Sequence, residues 1–183
     1  MNLALLVEVC NTRGGGTARS VVHIARELTA RGHQVQLFVA RAIDHGDLDG
    51  LTIRECEAAS LKRPLGLARF SRWSRQVLGN HPCDVSVSFT TLAPAMVVQP
   101  GSGTVREAFE RRAVLERSSY VQRLKCRLLA LGPKGRFLLA AERRTFRDPL
   151  IQRFVAASSY VVDQLRRHYH IRPDRIDLNH AAV

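Results

Sequence analysis

A chain of 183 residues, 45% hydrophobic with a mean hydropathy of −0.11, is long enough for one domain with a sizeable core and too apolar for a disordered chain. It carries 28 Lys and Arg against 16 Asp and Glu, a net charge of +12 and a pI of about 10.9, which directs attention to an anionic partner: a phosphorylated substrate, a membrane surface or nucleic acid. No apolar run approaches the roughly 20 residues of a membrane span, and Leu3–Cys10 contains Glu8 with no basic stretch before it, so the expected location is cytoplasmic.

In chain order, Leu3–Cys10 is a continuous apolar run, the pattern of a strand covered on both faces. From Thr17 to Arg31, Val21, Ile24, Ala25 and Leu28 recur at helical spacing, with Thr17 as the expected cap and Gly32 as the stop. Gln34–Ala40 is a second strand and completes a β-α-β unit, whose crossover should be right-handed. Leu51–Cys56 reads as a third strand. Pro64–Gly79 reads as a helix with Leu65, Ala68, Trp73 and Val77 inward. Asp84–Phe89 and Ala95–Gln99 are two more strands, joined by a turn. A long helical stretch from Val105 to Arg147 follows, with expected breaks at Gly132-Pro133 and Gly135. Arg153–Ala157 is a strand, Ser159–His168 a helix capped by Ser158, and Ile176–Leu178 a last short strand. Strands alternating with helices predict an α/β fold with a Rossmann-like, doubly wound parallel sheet in a single domain over residues 1–183. Cys10, Cys56, Cys83 and Cys126 lie far apart with no CxxC pair, so they read as reduced thiols, and no metal site is expected.

Gly14-Gly15-Gly16 falls between the first strand and the first helix, where backbone N–H groups and the helix dipole favour an anion. A tight turn without function explains the same residues. A dinucleotide fingerprint fits poorly, because Arg19 stands where the third glycine belongs and the second strand ends in Ala40-Arg41 without an acid. No Gly-Lys-Ser/Thr follows, which excludes a P-loop.

The stretch RGGGTARSVVHIARELTARGHQVQLF resembles the start of the retaining glycosyltransferases of family 4, which have the GT-B fold. HPCDVSVSF and AAERRTFRDPLIQRFVAASSYVVDQLRRHYHIRPDRIDLNHAAV are similar to downstream segments of that family, and within it to the lipopolysaccharide-core enzymes that glucosylate a heptose. The resemblance implies an acceptor-side domain whose loop Gly14, Gly15 and Gly16, supported by Arg19, would touch the diphosphate of a nucleotide sugar, with a UDP-sugar as co-substrate. It implies that the loop with Gly101, Ser102 and Gly103 would line the acceptor side. It implies no metal, because amides and basic side chains would carry the leaving diphosphate. The family's donor-side glutamates and basic pair have no counterpart in these 183 residues, so the donor-binding domain is expected to be missing here and the chain inactive alone. No catalytic residue is assigned.

Among single residues, Ser88, Thr90 and Thr91 end a strand where they could meet a sugar hydroxyl or cap a turn. His23 reads as a surface side chain, and His168 and His170 suit a helix C-terminus. Glu142 is expected to pair with Arg143 or Arg144. Between Thr104 and Arg147, 12 basic and 4 acidic residues concentrate +8 of the +12 charge. This stretch has three readings: a solvated surface with Leu124, Leu128, Leu129, Leu131, Phe137, Leu138 and Leu139 inward; a membrane-facing element carrying Arg123, Lys125, Arg127 and Arg136; or a nucleic-acid surface. The last is disfavoured by the scarcity of aromatics and the lack of a known motif. Two functions stand: a glycosyltransferase domain for a lipid-linked or lipopolysaccharide acceptor, peripheral on the inner membrane face, or a non-enzymatic Rossmann-like domain binding a nucleotide or an anionic polymer.

Overall fold

The computed structural model describes residues 1–10, 16–42, 50–56, 61, 63–101, 103–114, 124 and 128–179. Seven strands form one sheet: β1 (Asn2–Cys10), β2 (Gln34–Ala42), β3 (Thr52–Glu55), β4 (Val85–Ser88), β5 (Val97–Val98), β6 (Arg153–Ala156) and β7 (Ile176–Leu178). The helices are α1 (Gly16–Ala30), α2 (Pro64–Asn80), α3 (Val105–Val114), α4 (Pro133–Phe146) and α5 (Ser159–Tyr169). All strand pairs are parallel, in the order β3-β2-β1-β4-β5-β6-β7. The α/β, doubly wound architecture expected from the sequence is the one observed.

The middle of β1, Leu3–Val7, is apolar because it lies inside the sheet with helices on both faces. Leu5 and Val7 pack with Val21, Val22 and Ala25 of α1, while Ala4 and Leu6 pack with Phe38 and Val77 on the α2 side. Leu67 and Phe70 of α2 meet Ala141 of α4 on that second face. Val161 and Leu165 of α5 close over Phe154 and Ala156 of β6. Gly32, at φ 83°, stops α1 as expected: its N–H bonds to the Thr29 carbonyl and the His33 N–H bonds to the Leu28 carbonyl. Ser158 caps α5 by accepting from the Val161 N–H.

Four expectations change. Thr17 lies inside the first turn of α1, which starts at Gly16, so it is not the cap. Leu65 is 71% exposed, because the buried stripe of α2 is Leu67, Phe70, Ser74 and Val77, and two residues from Leu67 is about 200° around a helix. Leu124, Leu128 and Leu131 are exposed rather than inward, and only Phe137 and Leu138 of that leucine-rich stretch join the core cluster of α2 and α4. Gly135 is no break. It lies buried within α4, where a Cβ would stand 1.8 Å from the Leu129 carbonyl oxygen, so its missing side chain lets the preceding turn approach.

Candidate functional site: a cleft at the sheet's switch point

The strand order reverses direction between β1 and β4, and in open α/β sheets ligands bind at the carboxyl side of such a switch. β1 pairs with β4 only as far as Leu6 opposite Ser88, yet with β2 as far as Cys10 opposite Ala42. The last residues of β1 therefore border an opening. A cleft of about 590 Å³ fills it, walled by Val7–Val9, the first turn of α1 (Gly16–Ala18), Phe89–Thr91, the loop at Pro100–Gly101 and Gly103–Thr104, and the start of α3. Gly16 at the start of α1 and the loop with Gly101 and Gly103 meet here. A Cβ on Gly101 would stand 2.6 Å from Thr17 Oγ1, so the loop after β5 lies directly against the start of α1.

The two helix N-termini facing this cleft differ. The first turn of α1 carries no acidic residue to offset the positive end of its dipole. The first turn of α3 is closed by the protein itself. Thr104 Oγ1 accepts from the Glu107 N–H at 3.3 Å, Gln164 Oε1 accepts from the Thr104 N–H at 2.8 Å, and Glu142 Oε1 accepts from the Val105 N–H at 2.7 Å. Glu142 is fully buried and also accepts from the Tyr169 hydroxyl. Burial pushes its carboxyl above the usual glutamate range, against hydrogen bonds from Tyr169, the Val105 and Arg106 amides and the Thr91 hydroxyl that pull it down. In place of the expected ion pair with Arg143 or Arg144, the buried Glu142 carboxyl occupies the head of α3.

Glu107 makes a second tie. Tyr160 donates to one of its oxygens, and the other takes Arg167 Nη2 at 2.5 Å and His168 Nε2 at 3.1 Å. Burial raises the carboxyl, but bonds from Tyr160 and His168 and the Arg167 charge outweigh it, and the net direction is down. Glu107, Glu110 and His168 bring ligand-type atoms within 4.8 Å of one another. The Arg167 guanidinium already supplies the positive charge at Glu107, so this cluster ties α3 to α5. His168, read from sequence as a dipole-suited helix end, has a side chain only 5% exposed and belongs to this tie.

Of the predicted site residues, Gly16, Thr90, Thr91, Gly101 and Gly103 line the cleft. Ser88 is fully buried beneath it, its hydroxyl donating to the Thr90 carbonyl at 3.0 Å. Arg19 is exposed on α1 and Arg136 on α4, neither among the lining residues. Gly14, Gly15, Ser102, Arg123, Lys125 and Arg127 lie outside the described residues. Sequence reading missed Glu8, whose Oε1 accepts from Thr90 Oγ1 at 2.6 Å across the switch point. It also missed Gln164 and the role of Thr104-x-x-Glu107, although that spacing is a recognisable helix-start signal.

Several solved structures share this architecture. The crystal structure of WaaG, a glycosyltransferase involved in lipopolysaccharide biosynthesis, superposes with a TM-score of 0.75 at 20% identity, over 96% of this chain and 44% of that one. The lipopolysaccharide outer core galactosyltransferase WaaB in its apo form gives 0.52 at 11% identity, over 97% and 44%. A glycosyltransferase from Rickettsia africae ESF-5 gives 0.50 at 12% identity, over 97% and 42%. The chain therefore spans less than half the length of the solved structures it matches. No curated protein sequence matches it. The model of Glycosyltransferase Family 4 matches residues 14–183, and the chain belongs to that family.

Proposed function

We propose that residues 1–183 form the acceptor-side domain of a retaining glycosyltransferase, which moves a sugar from a UDP-sugar to a lipopolysaccharide-core or other lipid-linked acceptor. The observation that carries this reading is the cleft at the switch point, lined by Thr17, Thr90, Thr91 and Thr104 and by Glu8, in a chain of this family. The α1 N-terminus, with no acid in its first turn, suits the diphosphate of the donor, whereas the α3 N-terminus is already filled by Glu142. Residues 14–16 and Arg19 would meet that diphosphate from one side, and the donor sugar would be held mainly by a second domain such as the longer relatives have room for.

The test is a titration of the isotopically labelled chain with a deacylated lipopolysaccharide core oligosaccharide and, separately, with UDP-glucose. The core oligosaccharide should shift the amides of Thr17, Thr90, Gly101 and Gly103. UDP-glucose should bind more weakly than micromolar and no sugar should be transferred, since half of a two-sided cleft gives up most donor contacts and each 1.4 kcal/mol costs tenfold. Shifts confined to other surfaces would defeat the acceptor reading. Micromolar UDP-glucose binding would move the donor site into this domain.

A peripheral position at the inner membrane face belongs to the same proposal. No helix among the described residues is long and apolar enough to cross a membrane. Leu65, Leu128 and Leu131 are exposed, the last two within the basic 104–147 stretch. The chain should sediment with vesicles containing anionic lipid but not with neutral ones, and salt should weaken the binding, because attraction is screened within about 10 Å at 0.1 M. Changing Arg123, Lys125, Arg127 and Arg136 to Glu should abolish it without unfolding the chain. Equal sedimentation with neutral vesicles would remove the membrane part and leave the acceptor reading intact.

A further inference from the structure

The chain carries a net charge of +12, yet the one ionisable side chain lining the cleft, among the described residues, is an acid. Glu8 lies on the part of β1 that runs beyond its pairing with β4, so no neighbouring strand covers it on that side. Its position is set by a short chain of bonds. The Leu92 N–H donates to Thr90 Oγ1 at 3.2 Å, which fixes that hydroxyl to donate onward, and it donates to Glu8 Oε1 at 2.6 Å. Thr90 is only 4% exposed, so this clamp is sheltered from water. Glu8 Oε2 has no protein partner among the described residues, and the cleft that it borders is walled otherwise by apolar groups, hydroxyls and backbone. A carboxylate held by one oxygen and open at the other is an acceptor for sugar hydroxyls, each charge-assisted bond being about twice as strong as a neutral one. It also repels a phosphate, and among the described residues the wall around it carries no side-chain cation to offset that repulsion.

We propose that Glu8 is a specificity-determining residue: its open oxygen takes hydroxyls of an uncharged sugar ring of the acceptor and keeps phosphorylated rings out of this part of the cleft. The proposal rests on the reading of the cleft as the acceptor site and deepens it by naming the ring the site selects. Any phosphates on the acceptor then lie away from β1, towards the basic surfaces. Thr90 acts through Glu8, as a positioning residue.

Two measurements on wild type, Glu8→Gln and Thr90→Val decide the matter, with circular dichroism confirming the fold of each. In the first, calorimetry follows binding of a dephosphorylated, deacylated core oligosaccharide. Glu8→Gln keeps an acceptor for Thr90 but loses the charge, and should weaken binding at least tenfold; Thr90→Val, which frees the carboxylate to swing, should weaken it several-fold. In the second, inorganic phosphate is titrated while the amides of Val7, Val9, Phe89 and Thr90 are observed. These should stay unmoved in wild type and shift in Glu8→Gln, a change that a merely structural glutamate would not produce. If wild type binds the oligosaccharide and Glu8→Gln binds it equally well, the proposal for Glu8 is overturned while the acceptor site stands. If phosphate moves the cleft amides of wild type, its exclusion role is overturned. If wild type binds no oligosaccharide at all, the acceptor reading itself fails, and the proposal with it.

Discussion

Replacing Gly103 with alanine is expected to lower the melting temperature by about 10 °C. Gly103 has φ 99°, a backbone region that side chains with a Cβ rarely adopt, and the strain there is about 1–3 kcal/mol. The added Cβ would also stand 2.4 Å from Gln164 Oε1. Gln164 is 1% exposed and cannot swing into water; moving it strips the Thr104 N–H of its partner, at about 1–3 kcal/mol for a buried group left unpaired. The two effects together reach about 3–4 kcal/mol, and a domain of this size loses about 2–4 °C per kcal/mol. A double-mutant cycle with Gln164→Ala separates them. With Gln164 truncated, Gly103→Ala should retain only the backbone strain, so that the two substitutions combine to less than their sum. Strict additivity would mean that the loop does not depend on Gln164, and that the start of α3 is set by some other contact.

The sheet and its helices are legible in the sequence because their determinants are local. The apolar run Leu3–Val7 of β1, the 3.6-residue spacing of Val21, Ala25 and Leu28, the stop at Gly32 and the cap at Ser158 each need only a few neighbouring residues. The rotation of α2 was not legible, since Leu65-x-Leu67 offers two candidate stripes and only packing against Phe38 and Ala141 chooses between them. The polar ties that shape the cleft were hidden for a stronger reason. Glu142 and Val105 are 37 residues apart, Gln164 and Thr104 are 60 apart, and Glu8 and Thr90 are 82 apart. Nothing in the composition or spacing of either partner marks such a pair. In Glu142 the sequence even offered a decoy, because the adjacent Arg143 and Arg144 suggest an ion pair on a helix face that the side chain does not occupy. The glycines were visible from the start. Their reason was not: Gly101 makes room for Thr17, and Gly103 makes room for Gln164.

Glu142→Ala should destabilise the domain by about 3–5 kcal/mol, while Glu142→Gln should cost about 1 kcal/mol or less. Alanine leaves the Val105 N–H and the Tyr169 hydroxyl unpaired in the interior and opens a cavity, each unpaired group costing about 1–3 kcal/mol. Glutamine can still accept from Val105 with its oxygen, and its amide can donate to the Tyr169 oxygen. The two substitutions also differ from wild type in their response to pH, and the sign follows from linkage. Burial raises the Glu142 carboxyl in the folded chain above its unfolded value, so the folded state holds this proton more tightly. Stability from this group is therefore greatest at low pH and falls as pH rises from 4.5, the ordinary glutamate value, through the raised one. Glu107 works the other way: its folded value is lowered, so its contribution is present above the ordinary value and is lost as pH falls. Urea unfolding of wild type and Glu142→Gln between pH 5 and 8 isolates the first effect, since Glu107 is common to both and fully ionised across most of that range. Wild type should lose stability relative to Glu142→Gln as pH rises, and the gap should level off once Glu142 is ionised. A gap that widens in favour of wild type would mean that the four hydrogen bonds to the carboxylate outweigh its burial. The head of α3, and with it one wall of the cleft, would then be held by a charge the fold prefers rather than one it tolerates.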